Sequence, residues 1–322
     1  MNEVVRPKRL VLVALGGNAL IKPGQRGTTE EHEQNAKETA EHLWGLVDHG
    51  HNLIITHGNG PQVGDIMLRN ELARDKVPPN PLDVCVAESE GTIGYYLQQA
   101  LLNKLRRERN KRFVVTVITQ VLVDENDPAF KKPNKPIGPF YTEEQARDMM
   151  AQNPKWVMVE DSGRGWRRVV PSPVPKEIVQ RYMIRDSAKR GHIVIAVGGG
   201  GIPIARDSNG DYVGVEAVID KDLASSNLAC ELDADLFIML TPIEKVCLKF
   251  NTPEVEAIDV MTVEEADMHL KAGEFAPGSM SPKIEAAIEY ITACQREVII
   301  TSADKLQAAI DGKAGTRIIP TY

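Results

Sequence analysis

Short apolar runs rich in β-branched residues alternate along the chain with longer stretches whose apolar positions recur every three to four residues. The runs predict strands at 9–15, 52–56, 113–123, 193–197, 213–219, 236–240, 298–301 and 316–319. Between them, Thr28 and Glu31 carry the spacing of a capping box and predict a helix running on to Gly50. Ile93, Leu97, Ala100, Leu101 and Leu105 fall on one face of another. The strand runs are apolar throughout, so both faces of their sheet are covered, and strands separated by helices pair in parallel. The expected fold is α/β, a three-layer α/β/α sandwich around a mainly parallel sheet of about eight strands.

In such sheets ligands gather at the carboxyl ends of the strands. The unusual stretches sit there: the glycine clusters LGGNAL after the first run, THGNGPQVG after the second and AVGGGGIPI after a central one, and the charged AVIDKDLAS after the next. Adjacent glycines let the backbone approach a ligand with free N–H groups. One glycine cluster is as readily a tight turn, but three at one edge point to an anion site. Neither G-x-x-x-x-G-K-[ST] nor G-x-G-x-x-G is present, so the positive charge must come from elsewhere in the chain.

Three lysines are candidates. In IDKDLASSNLAC, Lys221 is flanked by Asp220 and Asp222. This is either a solvated turn with Asp222 as N-cap, or a lysine fixed in charge and position as phosphoryl transfer requires. In FAPGSMSPKIEAAIEYI, Ser281 reads as N-cap and Pro282 as the first helical residue, which puts Lys283 in the first turn. A cation there opposes the helix dipole unless an anion binds at the same place. Lys135, in NKPIGPFY, is stiffened by prolines and a glycine; with Lys131 and Lys132 it fits a surface loop or the positive face of a lid. It lies in a Pro-rich and basic break of rhythm from Asp124 to about Pro175, which is a surface insertion or a subdomain. A second break, 250–256, reads as a surface loop. His57 has no Ser/His/Asp arrangement to join and is expected to pack beneath a glycine loop.

Composition narrows the partners. A formal charge of −7 with no long basic stripe gives no support to nucleic acid. No apolar run approaches the roughly 18 residues of a membrane span, and the N-terminal one is too short for a signal peptide. Cys85, Cys230, Cys247 and Cys294 lie far apart without C-x-x-C, the pattern of free thiols in a reducing cytoplasm rather than of a zinc site.

Together LGGNAL, HGNGPQVG, NKPIGPFY, EDSGRGWRRVVPSP, GGGGIPI, VIDKDLAS, LTPIEKVCLKFNTP and FAPGSMSPK resemble, in order and over nearly the whole chain, the carbamate kinases of the amino acid kinase superfamily. The resemblance implies reversible phosphoryl transfer from carbamoyl phosphate to ADP, giving ATP and carbamate, with Mg²⁺, in a cytoplasmic homodimer serving arginine catabolism. It implies a single domain over 1–322: a carbamoyl-substrate part at about 1–200, a lid subdomain at about 124–175, and a nucleotide part at about 201–322. By motif, Gly16, Gly17, Asn18, Gly58, Asn59, Gly60, Gly199 and Gly200 would cradle the phosphoryl group and carbamate. Lys221, Lys283, Asp222 and Lys135 would be catalytic, and Thr241, Lys245, Val246, Met280 and Lys283 would meet the nucleotide. No resident metal ligand is implied, because Mg²⁺ rides on the nucleotide phosphates. Two readings compete: another small-acid kinase of the same superfamily, and a silent nucleotide- or metabolite-binding sensor.

Overall fold

The computed structural model describes residues 8–16, 20–22, 24–161, 163–250, 252–276 and 278–321. Its centre is an eight-stranded sheet in the order Val260–Thr262, Thr316–Ile319, Val298–Thr301, Leu236–Leu240, Leu10–Leu15, Asn52–His57, Ile193–Ile195, Val114–Thr116. Every neighbouring pair is parallel except Val298–Thr301 with Thr316–Ile319.

Among the described residues nine helices run along the chain: α1 Thr29–Asp48, α2 Gly60–Ala73, α3 Leu82–Arg107, α4 Glu143–Gln152, α5 Arg181–Lys189, α6 Lys221–Glu231, α7 Val263–Lys271, α8 Ser281–Cys294 and α9 Leu306–Ile310. Strand alternation sorts the core into two layers. Leu10, Leu12 and Ala14 pack with Ala224 and Leu228 of α6 and with Ile284, Ala287 and Tyr290 of α8. Val11, Val13 and Leu15 pack with Ala40 and Leu43 of α1 and Ile93 and Leu97 of α3. The expected sandwich is thus observed, with the Thr28–Glu31 capping box in place at the start of α1.

Two predicted strands are corrected. The 113–123 run is two strands in different sheets: Val114–Thr116 closes the main sheet, while Gln120–Leu122 joins Ile202–Arg206, Glu177–Ile178 and Tyr212–Gly214 in a second one. The chain changes sheets at Thr119, whose carbonyl accepts the Ile202 N–H at 2.8 Å. The 213–219 run keeps a ladder only at Tyr212–Gly214. Ala217, Val218 and Ile219 are buried without one, and Val218 instead donates to the Pro171 carbonyl at 3.0 Å. Apolar content signalled burial there, and burial without pairing looks the same in sequence.

Within the basic, proline-rich stretch, Lys135–Tyr141, Trp166–Val170 and Val157–Glu160 form a three-stranded antiparallel sheet backed by α4. Its first strand lies against α2, so closely that a Cβ on Gly64 would meet the Gly138 Cα at 2.5 Å. Glycine at both positions therefore sets how near Lys135 is brought to the main sheet. The 250–256 stretch connects the short antiparallel pair Cys247–Leu248 and Glu256–Ala257. Among the described residues, no helix is long and apolar enough to cross a membrane.

Candidate active site

The turn at the start of α6 organises the charged edge. Asp220 caps the helix: its Oδ1 accepts the Asp222 N–H at 2.8 Å and the Leu223 N–H at 3.4 Å. Its other oxygen, Oδ2, accepts from Lys135 Nζ at 3.0 Å, and that ammonium also donates to the Ile219 carbonyl at 3.3 Å. The capping role thus belongs to Asp220, and Asp222 is left free to do something else. Asp222 lies within the first turn and receives two lysines, Lys221 on Oδ1 at 2.5 Å and Lys283 on Oδ2 at 2.9 Å. Lys283 reaches it from the first turn of α8, also donating to the Ser279 carbonyl at 3.3 Å. Ser281 does not cap that helix: it is the first helical residue, and its hydroxyl donates to the Phe275 carbonyl at 3.0 Å.

Two further bonds fix the start of α6. The Ser225 hydroxyl donates to the Lys221 carbonyl at 2.5 Å, and it pairs with the Thr56 hydroxyl of the strand Asn52–His57 at 2.6 Å. Lys221 therefore has both its backbone and its ammonium held.

Burial by itself would raise the Asp222 carboxyl, but Lys221 and Lys283 overcome it and hold the group well below the usual carboxylate range. Burial lowers the Lys221 ammonium, with Asp222 opposing the shift and Lys283 adding to it. For Asp220, burial is again outweighed by Lys135 and the carboxyl is lowered. Three cations face two carboxylates at the N-termini of two helices, so the group this edge lacks is an anion.

A cleft of about 200 Å³ opens beside these residues, lined by Gly16, Asp220, Asp222, Thr241, Ser279 and Lys283 among others. A second cleft of about 220 Å³ shares Gly16, Leu240, Thr241 and Pro242 with it and runs on toward Asn35, Thr39 and His42 of α1. Gly16 and Thr241 thus stand where the two clefts meet. Gly17 and Asn18 lie outside the described residues.

Gly58, Asn59 and Gly60 lead from a strand into α2. Asn59 turns its side chain inward, donating to the Ser89 hydroxyl at 2.9 Å, and leaves the α2 N-terminus without a side-chain cap. Gly199 and Gly200 lie in a 3₁₀ turn after Ile193–Ile195. His57 is buried beneath that turn, with Nδ1 on the Gly58 carbonyl at 3.0 Å. Burial lowers its pKa to about 4, so the ring is neutral near pH 7.

Of the residues expected to meet the nucleotide, the Val246 N–H is buried against the Thr316 hydroxyl at 2.8 Å, and Met280 is buried at the cap of α8. Lys245 is paired with Asp259. In the basic motif, Arg167 donates to the Gly138 carbonyl at 3.1 Å, and Arg168 stacks 4.2 Å over Trp156. Both therefore brace the small sheet.

Sequence reasoning missed Thr56, Ser225, Glu90 and Thr119. Only Glu90 left a signal: it occupies a position of the apolar stripe of α3, between Val86 and Ile93, where a charge is out of place.

The profile of the amino acid kinase family matches residues 9–302. A carbamate kinase of Pyrococcus furiosus is 46% identical over 312 residues, spanning 96% of this chain and 99% of that protein. A carbamate kinase-like protein of Escherichia coli is 45% identical over 98% of this chain and 100% of its own length. The solved structure of Giardia lamblia carbamate kinase bound to AMP-PNP superposes with a TM-score of 0.91 at 42% identity, covering 98% of this chain and 99% of that one.

Proposed function

The chain belongs to the amino acid kinase family, alongside its carbamate kinases, and from that premise we propose that it catalyses reversible phosphoryl transfer between carbamoyl phosphate and ADP, yielding ATP and carbamate. The observation that carries this reading is Asp222 holding Lys221 and Lys283 together at two helix N-termini, with Lys135 fixed next to them on Asp220.

Phosphoryl transfer asks little covalent chemistry of a protein; it asks for positioning and for charge where the equatorial oxygens develop it. In this reading Lys221 and Lys283 neutralise those oxygens, Asp222 sets their spacing, and Lys135 reaches the carbamoyl side from the small sheet. Gly16, Gly17, Asn18, Gly58, Asn59, Gly60, Gly199 and Gly200 cradle the phosphoryl and carbamate. The nucleotide takes the side of Thr241, Lys245, Val246 and Met280; that a nucleotide binds at all is supported by the Giardia relative, which is bound to AMP-PNP. Carbamate is already an anion, so no general base is needed, in keeping with a neutral, buried His57.

Both carboxylates at the cleft are taken by lysines, and no His/Cys/Asp/Glu cluster suited to a metal occurs among the described residues. In this reading Mg²⁺ comes in on the nucleotide phosphates, whose charge it would neutralise. The same reading gives one domain whose nucleotide part starts near residue 201, a lid at about 124–175, a homodimer in the cytoplasm, and the ATP-yielding step of arginine catabolism.

The test is a coupled assay of ATP formation from ADP, Mg²⁺ and carbamoyl phosphate, run beside acetyl phosphate. ATP from carbamoyl phosphate alone is expected. Turnover of acetyl phosphate instead would assign the chain to another acid, and ADP binding without turnover to either would make it a sensor.

A further inference from the structure

Beneath the glycine turn lies a polar network that the transfer chemistry leaves unused. Glu90 of α3 is 1% exposed. Its Oε2 accepts the Thr119 N–H at 2.8 Å, and Gly198 packs against the same side chain, where an added Cβ would stand 2.9 Å from the Glu90 Cγ. Its Oε1 has no partner among the described residues. Burial raises the group well above the ordinary carboxylate range, with the Thr119 amide opposing only in part, which favours the neutral acid.

Thr119 completes the arrangement. Its hydroxyl donates to the Val117 carbonyl at 2.7 Å and accepts the Val197 N–H at 3.0 Å, while its own carbonyl accepts the Ile202 N–H at 2.8 Å. One residue thus fastens both ends of the segment 197–202.

That segment is strained where it is fastened. Val197 is fully buried at φ 53°, ψ 42°, in the left-handed region that a β-branched residue avoids. Strain of this kind persists only where the surroundings over-determine it. Beyond it, Gly199, Gly200 and Gly201 all have positive φ. A Cβ on Gly198 would stand 2.6 Å from the His57 ring, and one on Gly199 would stand 2.1 Å from the Asn59 side chain. The Gly200 and Gly201 N–H groups bond back to Val197 and Gly198, and Gly198 is packed between the His57 ring and the Glu90 side chain. The Gly199 N–H has no acceptor among the described residues, which makes it the turn's uncommitted donor.

We propose that Glu90 and Thr119 are positioning residues: they pin the Val197 turn and thereby hold the Gly198–Gly200 backbone in one geometry against the phosphoryl acceptor. The inference deepens the carbamate kinase reading and rests on it. A turn pinned in this way acts on one substrate only, because the nucleotide is assigned to the far side of the lysine cluster.

The experiment compares Glu90→Gln, Glu90→Ala, Thr119→Ser and Thr119→Val. Each disruptive variant loses one or two buried hydrogen bonds, so Glu90→Ala and Thr119→Val are expected to raise KM for carbamoyl phosphate by about tenfold or more. KM for ADP should stay within about twofold, and Glu90→Gln and Thr119→Ser, which keep the acceptor and the hydroxyl, should stay within about threefold of wild type. An equal rise in both KM values, or none, overturns the proposal. Hydrogen exchange of the unliganded enzyme gives a readout that does not need the reaction. Peptides covering 193–202 should exchange about tenfold faster in Thr119→Val than in Thr119→Ser, and equal rates overturn the positioning role. If wild type makes no ATP from carbamoyl phosphate, the proposed reaction is wrong and the exchange comparison still judges the turn. If Glu90→Ala does not fold, Thr119→Val, which replaces one hydroxyl by a methyl, decides by comparison with wild type and Thr119→Ser, which keep it.

Discussion

Removing one ammonium from Asp222 leaves the other in place, so Lys221→Ala empties a position without stranding a buried carboxylate. The fold should survive, and kcat should fall on the order of 10²–10⁴, the scale of losing one strong electrostatic stabiliser. A purified variant keeping more than about half the turnover would take Lys221 out of the mechanism. His57 makes a prediction about stability. Burial, more than the opposing Gly58 carbonyl, lowers its pKa from 6.5 to about 4. Between those values the unfolded chain takes up a proton that the native ring refuses, so the contribution of His57 is complete above pH 6.5 and fades as pH falls toward 4. Glu90 has the opposite sign: the native state keeps its proton above pH 4.5, and that contribution is lost as pH rises. Comparison with His57→Gln separates the two. From pH 7 to 5, the unfolding free energy measured in urea should fall by roughly 2 kcal/mol more for wild type than for the variant, and parallel curves would contradict a buried neutral ring. The lysines themselves could be singled out in the sequence because each stands beside carboxylates, a helix start or stiffening prolines. Glu90 and Thr119 were not, since the partners Thr119–Glu90 and Val197–Thr119 are separated by 29 and 78 residues.

At the scale of elements, two carboxylates two residues apart both fit the start of α6, and sequence cannot choose between them. The helix begins at Lys221, which makes Asp220 the cap and frees Asp222 for the lysines. Asp220 consequently has two jobs, one per oxygen, and substitutions can separate them. Asp220→Asn keeps an acceptor for the Asp222 and Leu223 amides but weakens the hold on Lys135, whereas Asp220→Ala loses both. Both variants should lower activity. Only the alanine should add the loss of a cap, leaving it about 1 kcal/mol less stable than the asparagine in urea unfolding. Equal stabilities would mean that the Ser225 and Thr56 hydroxyls, not the cap, hold the helix start. The same ambiguity explains the other misreadings. Ser281 stands before a proline as a cap would, yet its hydroxyl serves the Phe275 carbonyl. The 113–123 run satisfies strand periodicity throughout, and only the bonds at Thr119 reveal that it crosses between sheets.

At the scale of the molecule, the covered parallel sheet was legible because its strands are apolar on both faces, but its order was not. Leu236–Leu240 lies beside Leu10–Leu15 although 220 residues intervene, and no local pattern encodes that neighbour. The pairing matters to the site: it sets Thr241 next to Gly16 and brings the start of α6 under the strand Asn52–His57. It also predicts how the molecule opens. The six residues of Leu10–Leu15 and the five of Leu236–Leu240 are all buried, with neighbours on both edges. The small sheet exposes Val157 and Val159 on an edge strand and is backed by α4, of whose residues Ala146 alone is buried. Amides of the two central strands should therefore exchange only through global unfolding, while those of Val157–Glu160 and α4 exchange through local opening at much lower free energy. Native-state hydrogen exchange at increasing urea checks this: the central peptides should follow the global unfolding curve and the small-sheet peptides should be nearly independent of urea at low concentrations. One shared curve would mean that the sheet carrying Lys135 opens only with the whole chain, so that the position of Lys135 is fixed as firmly as that of Lys221.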